Sequence, residues 1–223
     1  MALVTGAAGA VGTAVSRRLK AAGWAVAGVD TRGCDCALAL TADVADRRDM
    51  IDAAERVRRE LGPIDLLVTA ANRHDSARMG ELSRERWQSM LEVNLGGTVN
   101  ACAAVVPAMV ADGQGTVVTT TSWLSLAGVA DDAYYAASRG AVIAFTKSFS
   151  LEVARNGVRV NCVAIGPSEK DAQAAGGATE LEASGVGRAA APEDVASTVM
   201  FLAEEGDFYV GQVFAPTAGV VFG

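Results

Sequence analysis

The sequence predicts an α/β domain, a single doubly wound parallel sheet with helices on both faces. Three observations predict it. Short apolar runs, several of them β-branched, alternate with amphipathic runs from end to end. The links between runs are short, as βα and αβ connections are. The 223 residues suit one such unit, and neither an internal repeat nor an interdomain linker interrupts them, so 1–223 is read as one domain.

The strand-like runs are 2–5, 24–29, 38–42, 64–69, 116–121, 159–164 and 212–215. Their near-continuous apolar character is that of strands buried on both faces. Helical periodicity fills the gaps. From Asp46, a suitable N-cap, Met50, Ala54, Val57 and Leu61 share one face until Gly62-Pro63. A second helix runs from Ser83 through Trp87, on its core side, to Leu91. A third, about 96–111, contains Pro107, which predicts a kink or an early stop. A fourth spans about 134–156 and ends at Gly157. A fifth opens on Pro192-Glu193 and ends near Ala203. Segment 167–190, rich in Ala, Gly, Ser and Glu, lacks clear periodicity and is read as a substrate-binding loop or lid.

Composition narrows the function. A net charge of -7 gives no electrostatic footprint for nucleic acid or an anionic membrane. No apolar run reaches the roughly 18 residues of a membrane span. The N-terminus enters a strand pattern without a basic leader, so a cytoplasmic protein is expected. Cys34, Cys36, Cys102 and Cys162 are read as small, partly buried hydrophobes rather than a disulfide framework or a metal site. His74 is the only histidine, and no metal site is expected.

The first strand runs into Thr5-Gly6-Ala7-Ala8-Gly9-Ala10-Val11-Gly12, and a helix pattern follows at once. This is a phosphate-binding turn of Rossmann type. Gly6 permits the tight turn, Gly9 beside Ala8 and Ala10 admits a pyrophosphate, and Gly12 lets the helix pack on the sheet. The helix N-terminus presents free N–H groups to the phosphates. Asp30, closing the second strand, can accept hydrogen bonds from an adenosine ribose and repel a 2′-phosphate, which favours NAD. Nearby Arg32 is the feature that would favour NADP. Asp43-Val44 is either an adenine contact or an ordinary loop and helix entry.

Ser122 ends a strand, Tyr135 follows, and Arg139 lies one helical turn further on the same face. A fixed cation favours phenolate and makes Tyr135 usable as an acid/base near neutral pH. The Ser122 hydroxyl can hold a carbonyl or alcohol oxygen beside it. Trp123 and Leu124 are read as walls of the substrate site, with Leu126 adding to an apolar or cyclic preference. His74 is either a substrate contact or a solvated loop residue. Tyr134 is read as a pocket or packing residue.

Jointly, Thr5-Gly6…Gly12, Asp43-Val44, Asp65-x-Leu-Val68, Val93-Asn94-Leu95, Ser122, Tyr135-Ala-Ala-Ser-Arg139, Val158-Arg-Val-Asn161, Pro192-Glu193-Asp194 and Gly211-Gln-Val213 resemble the short-chain dehydrogenase/reductase superfamily over essentially the whole chain. The resemblance implies that Ser122 orients substrate, Tyr135 exchanges the proton and Asn94 anchors a water relay. It implies Ala70, Ala71 and Gly166 beside the cofactor, with Tyr135 and Arg139 also touching it. It further implies a homotetramer or dimer packed through the helices at about 96–111 and 134–156. Arg139 replaces the usual lysine, Thr69-Ala70-Ala71-Asn72 the usual Asn-Asn-Ala-Gly, Ile165-Gly166-Pro167 the usual Pro-Gly, and Ala10 the middle glycine of the turn. The Ser–Tyr–Arg set also resembles the cofactor-free halohydrin dehalogenases. Small Ala10, together with Asp30 and Asn94, opposes that alternative. The expectation is therefore an NAD-dependent enzyme interconverting an alcohol and a ketone. A non-catalytic dinucleotide-binding protein is the remaining alternative.

Overall fold

The computed structural model describes residues 1–168 and 184–220. Residues 169–183 of the expected lid lie outside the described residues.

Seven parallel strands form one sheet in the order β3-β2-β1-β4-β5-β6-β7. They are β1 (Ala2–Thr5), β2 (Val26–Asp30), β3 (Leu38–Thr41), β4 (Leu66–Thr69), β5 (Gly115–Ser122), β6 (Val158–Ile165) and β7 (Val213–Phe214). All seven expected strands are present, with ends displaced by at most two residues. β1, β2 and β4 are buried along their whole length, which explains their unbroken apolar runs.

Side chains alternate across the sheet and build two cores. On one face Leu3, Ala27, Leu67, Val117 and Val160 meet helices α2 (Arg47–Leu61), α4 (Gly97–Asp112) and α6 (Ala133–Val153). On the other, Val4, Val26, Val68 and Val163 meet α1 (Ala10–Ala21) and α7 (Pro192–Glu204). The Asp46 side chain caps α2 by accepting from the Arg48 and Asp49 amides, and Gly62 at φ 96° terminates it. Gly157 at φ 78° closes the short turn after α6.

Three expectations need correction. Pro107 does not stop α4, which continues to Asp112. Pro107 and Ala103, whose carbonyl loses its partner, both lie on the exposed face, where water can satisfy that carbonyl. The second and third expected helices are one continuous run, because α3 (Arg84–Leu91) joins α4 through a π-helical turn, Glu92–Gly96. That run, Arg84–Asp112, is one helix long and apolar enough to cross a membrane by composition, at a mean hydropathy of 1.5. Its Ala101, Cys102, Val105 and Met109 are buried against the sheet, as in a core helix. A short helix not foreseen, α5 (Leu124–Ala127), follows β5.

All four cysteines are free. Burial pushes the Cys102 thiol up to about 12 and the Cys162 thiol up to about 11, consistent with inert packing groups.

Candidate active site

The strand order reverses between β1 and β4. Loops leaving the carboxyl ends of these two strands diverge to opposite faces, which opens a crevice. A cleft of about 560 Å³ lies there, lined by Gly6, Gly9, Ala10, Val11 and Gly12 of the first turn, by Asp30, Asp43 and Val44, and by Ala70 and Ala71. Ten of the sequence-derived cofactor positions thus meet in one cavity.

The glycines make this cavity. Gly6 has φ +64°, and a Cβ on it would sit 2.6 Å from the Ala70 backbone. At Gly12 a Cβ would lie 2.2 Å from the Gly6 carbonyl oxygen. Gly12 therefore packs the helix onto its own turn rather than onto the sheet. Gly9 caps α1 without a side-chain bond, and no acidic residue occupies the first turn, so positive helix-end character faces the cleft. The Asp30 carboxylate accepts from the Ala8 amide at 3.0 Å and from the Arg32 amide at 3.0 Å, fixing it beside the turn. The Arg32 guanidinium approaches it at 3.4 Å from a largely exposed position. Asp43 accepts from the Ala45 amide at 2.9 Å, while Val44 is buried. Gly166 is not among the lining residues. Its missing Cβ makes room for Pro216, Thr217 and Ala190, and its neighbour Ile165 reaches the cleft instead.

Beyond the cleft, Tyr135 and Arg139 share a face of α6, both buried. The Arg139 guanidinium carbon lies 5.7 Å from the centre of the Tyr135 ring. Its nitrogens donate to the Thr120 carbonyl at 3.3 Å, to the Ala71 carbonyl at 3.3 Å and to Asn72 Oδ1. Its Nε has no partner. Among the described residues no carboxylate pairs with Arg139, so a buried cation is solvated by neutral oxygens alone. Ser122 is buried at the end of β5, with Trp123 and Leu124 beside it. These two pack with Tyr135, Leu82 and Met90 in one apolar cluster, and against it pack Trp87 and Tyr134, stacked on each other with ring centroids 6.2 Å apart.

Asn94 sits fully buried in the π-helical turn. Its Oδ1 accepts from the Arg73 amide at 2.8 Å, and its Nδ2 donates to the Arg73 carbonyl and to Ser138 Oγ, each at 2.9 Å. Ser138 Oγ donates to the Tyr135 carbonyl at 2.7 Å. Asn94 thereby links the loop after β4 to the turn of α6 that carries Tyr135. Sequence reasoning missed Ser138, and also Asn72 and Arg73, which line the cleft. Ala70 stands where the second asparagine of Asn-Asn-Ala-Gly is usual, and the polar group that Asn72 brings to the end of that loop was readable only as the next polar residue along it. His74 stands against the Tyr135 ring at 4.0 Å between centroids.

Comparison with known proteins agrees with this architecture. The short chain dehydrogenase family model matches residues 1–180. The chain is 34% identical to a 3-oxoacyl-(acyl-carrier-protein) reductase of Thermotoga maritima, over 80% of this chain and 75% of that protein. It is 33% identical to a 2,3-dihydro-2,3-dihydroxybenzoate dehydrogenase of Bacillus subtilis, over 91% and 88%. It is 32% identical to a cis-4-hydroxycyclohexanecarboxylate dehydrogenase of Sinomonas cyclohexanicum, over 98% and 95%. With its seven-stranded parallel sheet and more than half its length matched, the chain belongs to the short-chain dehydrogenase family of oxidoreductases.

Proposed function

We propose that the chain interconverts a secondary alcohol and a ketone with NAD, using Tyr135 as the acid/base. The observation that carries this reading is the buried Tyr135–Arg139 pair, one helical turn apart, beside a glycine-made cleft at the switch point of the sheet. The cleft fits a dinucleotide. Its wall at Gly6 and Gly12 has no room for a Cβ, and unpaired helix amides and a fixed carboxylate face inward. Gly6, Gly9 and Gly12 would hold the pyrophosphate, Asp30 the adenosine ribose, and Asp43-Val44 the adenine side. The dinucleotide, when bound, supplies the acceptor or donor of the hydride.

The remaining chemistry belongs to the chain. The Ser122 hydroxyl orients the substrate oxygen. Tyr135 takes the hydroxyl proton in oxidation and returns it in reduction. Arg139 gains an anionic partner when Tyr135 loses its proton, which offsets the cost of burying an unpaired guanidinium. Trp123 and Leu124 favour an apolar or cyclic substrate, and two of the relatives named above act on hydroxylated rings by their names. The outer faces of α4 and α6 expose Val99 and Leu151, consistent with a homo-oligomer packed through those helices. The dehalogenase-like alternative needs no nucleotide cleft, whereas small Ala10 leaves this one open.

Titration calorimetry with NAD, NADH and NADPH tests the reading. NAD and NADH should bind, with NADPH weaker by about tenfold or more. Absence of binding by all three would overturn it and direct attention to halide release from vicinal halo-alcohols. In Asp30→Ala, loss of the ribose hydrogen bonds should weaken NADH by about tenfold, and removal of the carboxylate should strengthen NADPH. An unchanged ratio would remove Asp30 from the site. An activity panel should include cis-4-hydroxycyclohexanecarboxylate and a 3-oxoacyl thioester.

A further inference from the structure

The irregular segment after β4 is tied to the residues just before α6. The Ala77 amide donates to the Asp131 carbonyl at 2.8 Å. Ser76 Oγ donates to Asp132 Oδ1 at 2.8 Å, and His74 Nε2 meets the same oxygen at 2.7 Å. One residue before His74, the backbone of Arg73 is held on both its polar groups by Asn94. His74 is thus fixed from both sides, although the loop around it has no regular structure. Its ring lies 4.0 Å from that of Tyr135, tilted by 33°.

Two local features are explained by this clasp. Asp132 stands at the N-cap of α6, a position where aspartate ordinarily binds helix amides, yet it makes no side-chain cap bond. Its carboxylate is engaged by His74 and Ser76 instead. Asp131 adopts φ +65°, uncommon for a residue with a side chain, and its carbonyl accepts from Ala77. With a carboxylate as acceptor, His74 Nε2 is the donor in this contact.

We propose that His74, clasped by Asp132, is a positioning residue for the Tyr135 phenol, holding the ring in the one orientation from which its oxygen can exchange a proton with substrate. The proposal rests on the reading of Tyr135 as the acid/base. A flat imidazole packed at this distance blocks rotation of the phenol ring, and the carboxylate clasp keeps the imidazole from swinging away.

The test compares wild type with His74→Ala, His74→Gln and Asp132→Asn in two ways. Crystal structures of each read the Tyr135 rotamer. Steady-state kinetics with NAD and cis-4-hydroxycyclohexanecarboxylate, or in reverse with NADH and a 3-oxoacyl thioester, read kcat and KM separately. In His74→Ala, Tyr135 should occupy more than one rotamer and kcat should fall by about tenfold or more, with KM for the nucleotide within about twofold. His74→Gln, which retains a planar group able to bond Asp132, should recover most of the rate. A single, unchanged Tyr135 rotamer in His74→Ala overturns the proposal. So does a raised substrate KM at unchanged kcat, which would make His74 a substrate wall. Because the rotamer is read without turnover, failure of the positioning role is separable from failure of the acid/base reading, which Tyr135→Phe tests alone. If His74→Ala does not fold, Asp132→Asn, which loosens the clasp, should show the same extra Tyr135 rotamers and loss of kcat, and a single unchanged rotamer there overturns the proposal.

Discussion

Tyr135→Phe is expected to lower kcat for alcohol oxidation by about 10²- to 10⁴-fold, the range that a positioned acid/base contributes. Phenylalanine keeps the ring against His74 and the apolar cluster of Trp123, Leu124 and Met90, so the fold and the packing should persist. Only the hydroxyl is removed. Affinity for NADH by calorimetry should stay within about threefold of wild type, since the glycine turn and Asp30 are untouched. Turnover at the wild-type rate in Tyr135→Phe would reject the mechanism.

The second large effect is expected at Gly12→Ala. The new methyl would lie 2.2 Å from the Gly6 carbonyl oxygen and 2.8 Å from Ala7 Cα, both backbone atoms that cannot rotate away. The turn must shift, which should cost about 1–3 kcal/mol of stability. The helix amides then point away from their common target, and dinucleotide affinity should fall by about tenfold or more. Gly140→Ala is the control. Gly140 lies in α6 with nothing within 4 Å of an added Cβ, so the variant should be neutral or up to about 1 kcal/mol more stable. Thermal unfolding and calorimetry check both. Unchanged NADH binding in Gly12→Ala would remove the turn from the nucleotide site.

The sheet was legible in the sequence because β1, β2 and β4 are buried on both faces and carry unbroken apolar runs. The same holds for α2, whose N-cap at Asp46 and stop at Gly62 are encoded locally. Pro107 misled because the consequence of a proline depends on which side of the helix faces water, and that is a tertiary property. The glycine turn, Asp30 and the Tyr135–Arg139 spacing were readable because each depends on neighbours within one turn or one strand end. The bonds from His74 to Asp132, 58 residues apart, and from Asn72 to Arg139, 67 apart, were not. No periodicity relates residues on separate loops. Gly166 was assigned by position to the cofactor, whereas the space beside it is taken by the returning C-terminal segment, which leaves no local mark on the sequence.

The π-helical turn at Glu92–Gly96 has an effect on helical phase. A π turn amounts to one residue inserted into an α-helix, and one residue is about 100° of rotation. Without it, the apolar sides of α3 and α4 would fall on one continuous stripe. With it, the same rod turns Met90 toward the cluster around Tyr135 while Ala101, Cys102 and Val105 face the sheet. Asn94 lies at the point where the stripe changes direction, and so reaches sideways to Arg73 and Ser138 rather than into either core. Deleting one residue there would regularise the helix and preserve this offset, because the residue removed is the one that the π turn absorbs, so each half would still present its own side chains.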